Sequence, residues 1–79
     1  MEDRQKLIAL LAEVNEDIDF AAETALVDDG LIDSLDMTVI IAAIDEAFDV
    51  HITTADIEPE HFNSVDAMLR LIQRHRERP

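Results

Sequence analysis

The sequence predicts an all-α protein of four helical segments, the third of them short. Three observations lead there. Apolar residues recur at helical spacing in three separate stretches, and no run shows the period-two alternation of a β-rich chain. One Gly and two Pro leave little of the punctuation that turns between strands require. The chain has 79 residues and no Cys, so helix packing must hold it together without a disulfide framework or a thiolate metal site. A single domain over residues 1–79 is expected, with no repeat and no low-complexity tract.

The first helix is expected from about Glu2 to Glu16, because Leu7, Leu11, Val14 and Ile18 recur on one face, with Ile8 and Leu10 widening the stripe. Residues 17–33, "DIDFAAETALVDDGLID", read as a long connection. Loops longer than about 12–15 residues inside a small domain tend to be functional. Phe20, Leu26 and Ile32 can pin this one across the core, and Gly30, the only glycine, marks a backbone turn that other residues would strain to make.

The second helix is expected over Ser34–Phe48, with Asp33 as N-cap and Asp36 three residues later in a capping-box arrangement. At about 100° per residue, Met37, Ile40, Ile41, Ile44, Ala47 and Phe48 form the core arc. Opposite lie Leu35, Thr38, Val39, Ala42, Asp45 and Glu46, a face too apolar to be made for solvent alone. The short third segment is "ADIEPEHF", where Pro59 suits a first helical turn. The fourth helix should start behind Ser64 as N-cap and run to about Arg76, with Val65, Met68, Leu69 and Ile72 as its stripe. Asp66 at its start and Arg70, Arg74 and Arg76 towards its end complement the helix dipole.

Charge narrows the possible partners. Between Lys6 and Arg70 there is no Lys or Arg, while residues 7–69 hold 16 of the 19 acids, and the formal net charge is −13. Such a field repels phosphates and argues against nucleic acid, and it favours partners with basic docking patches. No apolar run approaches the roughly 18 residues of a membrane span, so no membrane partner is expected. The opening "MEDRQKL" lacks the apolar core of a secretion signal, and a cytoplasmic monomer is expected.

The acidic stretch "DDGLIDSLD" raises two chemistries. An EF-hand with Gly30 at its sixth position would need ligands at Ala25 and Val27, which have none to offer, so only loose divalent binding and no defined metal site is expected. Hydrolysis by Ser34 would need a strained elbow and an oxyanion loop, and one glycine does not supply them. No spacing places His51, His61 or His75 beside Ser34, so no catalytic residue is assigned.

What sets Ser34 apart from an ordinary capping serine is its company: a helix start, a long loop turning at Gly30, a following Leu35 and a second apolar face. Here the sequence resembles the acyl carrier protein family over nearly its whole length. Asp33-Ser34-Leu35 matches the family's "DSL" attachment motif, extended to "DSLD", and "AFDVHI" and "FNSVDAMLRLI" resemble the stretches after the second helix and through the fourth.

The resemblance implies a four-helix bundle with a long first loop. It also implies that Ser34, next to the motif residue Asp33, carries 4′-phosphopantetheine donated from coenzyme A by a Mg²⁺-dependent phosphopantetheinyl transferase. The implied partners are that transferase, an acyl- or aminoacyl-loading ligase and downstream acyl-processing enzymes. They would dock on Leu35, Asp36, Thr38, Val39, Ala42, Asp45 and Glu46. "DGLIDSLD" departs from the "LGADSLD"-like approach of fatty-acid carriers and resembles carriers of discrete amino-acid or specialised acyl pathways. Val39 stands where fatty-acid carriers commonly place an acid, which shifts docking towards apolar contact. The competing reading is an unmodified acidic adaptor that binds a protein through its second helix.

Overall fold

In a computed structural model, which describes residues 3–53 and 57–77, the chain forms four helices and, among those residues, no strand. The first, α1, spans Asp3–Val14 and buries Leu7 and Leu11 completely, with Ile8, Leu10 and Val14 packed at the edge. It stops two residues short of the expected Glu16 because Asn15 diverts the backbone. Its N–H still donates to the Leu11 carbonyl, but its side-chain oxygen accepts the N–H of Asp17, and that local turn competes with another helical turn. Ile18 therefore reaches the core margin from the loop. The expected start at Glu2 lies outside the described residues.

The long connection is fixed at three apolar points, since Phe20, Leu26 and Ile32 are all buried. Its last part winds through tight turns: Asp29 donates to the Ala25 carbonyl, and Leu31 and Ile32 both donate to that of Leu26. Gly30 has φ +74°, and no atom lies within 4 Å of where a Cβ would sit. The left-handed backbone, and not crowding, accounts for glycine there.

Helix α2 spans Ser34–Phe48 and buries Met37, Ile40, Ile44 and Phe48; Ile41 and Ala47 are half-covered at the edge of the same arc. It ends at Asp49, whose backbone is left-handed (φ 54°) and whose N–H returns to the Asp45 carbonyl. Helix α3 is the single turn Pro59–Phe62, with Pro59 in its first turn and Phe62 fully buried; Ala55 and Asp56 of the expected segment lie outside the described residues. Helix α4 spans Val65–Glu77, and Ser64 caps it by accepting the Ala67 N–H through its hydroxyl. Its buried face is Val65, Ala67, Met68, Leu71 and Ile72, whereas Leu69 is only half-covered. Leu69 and Leu71 flank the Met68–Ile72 axis almost symmetrically, so tertiary packing and not the helical period decides which is covered. α1 packs on both α2 and α4, and α3 packs on α4.

The few bases are spent largely on closing this packing. Lys6 donates to the Ala47 carbonyl at 2.6 Å, at the negative end of α2, and its ammonium sits 4.8 Å from the centre of the Phe48 ring. Arg76 lies 5.3 Å from the same ring and bonds Asp3 at 2.7 Å, which holds the Asp3 carboxyl below its usual value. Arg4 pairs with Asp66 at 3.3 Å.

Exposed pairs of this kind are worth about 0–1 kcal/mol each. The 16 acids of residues 7–69, with no Lys or Arg among them, repel one another over a comparable range. Repulsion should win, so the melting temperature should rise with added NaCl, and more steeply per charge with Mg²⁺ or Ca²⁺. A thermal melt series settles this, and a melting temperature flat in both salts would contradict it.

Candidate functional site

Ser34 is exposed at the first position of α2. Asp33 caps the helix in place of Ser34: its carboxylate accepts the Asp36 N–H at 2.9 Å, and the Asp36 carboxylate accepts the Asp33 N–H at 3.2 Å, a complete capping box. The cap residue's carbonyl also accepts the Met37 N–H at 2.9 Å. Because both acids are occupied with the backbone, the Ser34 hydroxyl is left without a hydrogen-bond partner among the described residues. The first-turn N–H groups of Ser34 and Leu35 likewise have no protein acceptor there. A free hydroxyl beside open amides at the positive end of a helix suits a phosphate ester. The flanking carboxylates oppose such an anion.

The loop that presents Ser34 is anchored by a residue the sequence did not single out. Asn63, between α3 and α4, accepts the N–H groups of Val27 and Asp28 on its side-chain oxygen at 2.9 and 3.0 Å. Its amide donates to the Asp28 carboxylate, and its carbonyl accepts the Leu26 N–H. The only available signal was an Asn at a helix junction, which usually marks a cap. Asn63→Ala strips acceptors from two backbone amides and should cost roughly 1–3 kcal/mol. It should also speed hydrogen exchange of the residue 26–32 amides more than those of α1, and both effects can be read by melts and exchange mass spectrometry.

Of the residues expected on the outward face of α2, Leu35 is 71% and Val39 48% exposed, and Thr38, Ala42 and Glu46 are exposed with them. The Thr38 hydroxyl donates back to the Ser34 carbonyl. Asp36 and Asp45 are half-covered and engaged: Asp36 in the capping box, and Asp45 by accepting the Ile52 N–H at 3.1 Å, with His51 3.9 Å away. Asp45 thus fixes the chain's exit from α2. Leu31, two residues before the N-cap, is also exposed and was not anticipated. It alternates with buried Ile32, as a loop passing over the core requires.

The histidines serve elsewhere. His51 faces Asp45, and His61 lies 3.7 Å from Glu58; the Ser34 hydroxyl bonds to neither. Glu58, Glu60 and His61 do bring three possible ligand atoms within 4.8 Å of one another, a cluster the sequence did not suggest, in and just before the one-turn α3.

A family model described as the phosphopantetheine attachment site matches residues 5–72, from within α1 through most of α4. The chain belongs to this family. The phosphopantetheine-attachment family binds its group covalently, and its domains are carriers that modifying and processing enzymes act upon, not catalysts themselves. The expected all-helical carrier fold is the one observed. No match emerges among curated proteins. No helix of the described residues is long and apolar enough to cross a membrane.

Proposed function

We propose that Ser34 is the attachment residue and that the protein is a stand-alone carrier, tethering an acyl or aminoacyl group and presenting it to partner enzymes. The observation that carries this reading is the exposed, unbonded Ser34 hydroxyl at the start of a helix that its neighbour already caps. In the transfer, Ser34 Oγ attacks the pantetheine-side phosphorus of coenzyme A, a new P–O bond forms, and the pyrophosphate P–O bond breaks to release 3′,5′-adenosine diphosphate. The hydroxyl proton leaves to a base of the transferase. The bound group supplies a terminal thiol, which this Cys-free chain lacks, and that thiol holds the cargo as a thioester.

The chain's own contribution is positional. The Asp33–Asp36 box fixes the first turn, the Gly30 turn and Asn63 hold the approach, and the amides of Ser34 and Leu35 would be open to a phosphate ester on Ser34. Leu35, Val39 and Ala42 form an apolar docking strip, with Thr38 and Glu46 beside it and Asp36 and Asp45 at its rim. We place the carrier in the cytoplasm as a single-domain monomer, served by a transferase, a loading ligase and acyl-processing enzymes. Incubation with coenzyme A, Mg²⁺ and a phosphopantetheinyl transferase, followed by intact-mass measurement, tests this reading. One added phosphopantetheine supports it, and an unchanged mass that still binds partners through α2 would favour the adaptor.

A further inference from the structure

The described bases of this acidic chain fall into two groups. Arg4, Lys6 and Arg76 are engaged at the seam of α1, α2 and α4. Arg70 and Arg74 are exposed on α4 and make no ion pair or hydrogen bond among the described residues. Asp66, one helical turn before Arg70, is the partner helix geometry would offer it, but Arg4 holds that carboxylate. Nor does the helix dipole account for Arg70, which precedes the last turn, where Arg74 and Arg76 already supply positive charge.

The two unpaired arginines also share a surface. With Ala67 and Gln73 they line an open groove of about 620 Å³, and Glu60 and His61 of α3 line it too. No residue of α2 or of the loop before Ser34 belongs to it.

We propose that this groove is a second docking site, which takes an acidic segment of a protein partner presenting two carboxylates one helical turn apart. Residues four apart on a helix stand about 5–6 Å from each other, so carboxylates at that spacing meet both guanidiniums, each through paired N–H donors. Gln73, between the arginines in sequence, offers an amide to a further acceptor. Charge complementarity selects the occupant, because these are the only Lys or Arg side chains of the described residues not already paired. A long polyanion would lay its remaining charges against the −13 field, whereas a short segment keeps its carboxylates within a Debye length, about 8–10 Å, of the arginines.

The test uses the unmodified protein, so its result is independent of Ser34. The probes are a capped helical peptide with two glutamates four residues apart, its glutamine twin, and inorganic phosphate, each titrated into ¹⁵N-labelled protein at low salt. The glutamate peptide should shift the amides of His61, Arg70, Gln73 and Arg74, and should lose affinity as salt is added. The glutamine twin should bind at least about tenfold more weakly, as should the glutamate peptide to an Arg70→Gln/Arg74→Gln variant that melts like the parent. Equal binding of the two peptides, shifts that persist in the double variant, or no binding would overturn the proposal. So would phosphate producing the same shifts at lower concentration, which would make the groove a small-anion site.

Discussion

Ser34→Ala should abolish the addition of phosphopantetheine entirely while leaving the helical circular dichroism and the melting curve nearly unchanged. The two halves of this expectation rest on different atoms. Transfer needs an oxygen nucleophile at this position, and alanine has none. Stability does not need it, because Asp33 supplies the cap and the Ser34 hydroxyl bonds nothing among the described residues. An exposed substitution without such a partner stays within about 0.5 kcal/mol. Asp33→Ala is the informative contrast, because it removes the acceptor of the Asp36 N–H and should cost about 1 kcal/mol while leaving the nucleophile in place. Intact mass after incubation with coenzyme A and transferase, alongside thermal melts of both variants, reads each half separately. Modification persisting in Ser34→Ala would move the attachment site elsewhere.

The two faces of α2 should separate stability from recognition. Ile44 is fully buried, and its truncation to alanine should cost roughly 2–5 kcal/mol as a core deletion. Leu35, 71% exposed, should cost less than about 0.5 kcal/mol in the same assay. In the transferase reaction the order should reverse, with Leu35→Ala losing more than about 1 kcal/mol of efficiency if it anchors the docked partner. Val39→Asp should act in the same direction by placing a desolvated charge in an apolar contact. Melts and transferase rates measured side by side decide the matter. A Leu35→Ala variant that unfolds, or one that every partner handles normally, would put the docking strip on the wrong surface.

Where the sequence was legible, local chemistry and periodicity agreed. The α2 boundaries, the Asp33 cap, the Ser64 cap and the Gly30 turn each depend on residues within a few positions of one another, and each stands as expected. What escaped depended on distant partners. Leu71 and not Leu69 is buried on α4, a choice made by the tertiary neighbours of the helix, which a helical wheel does not encode. Asn63 holds residues some 35 positions away, so nothing in its own neighbourhood announces it. Asp45 looked like a rim acid by its angle on the helix, yet it captures the Ile52 N–H once the chain turns back at Asp49. At the candidate site, spacing showed the helix start and the apolar outward face; that Ser34's hydroxyl is left unbonded emerged only when the capping contacts were seen.

The reliance of the Ser34 approach on Asn63 bears on the order in which the protein is made. A chain emerging from synthesis presents its N-terminal part first, and domains fold as units once their contacts are available. When the serine appears, the acceptors for the Leu26, Val27 and Asp28 amides have not been built, and neither has Arg76, which clasps Asp3 from 73 residues further along the chain. The shape around Ser34 therefore matures only after the α3–α4 junction with Asn63 has been added. A transferase that reads this shape would pass over nascent chains that lack Asn63, making the α3–α4 junction a checkpoint on the first step of the carrier's working life.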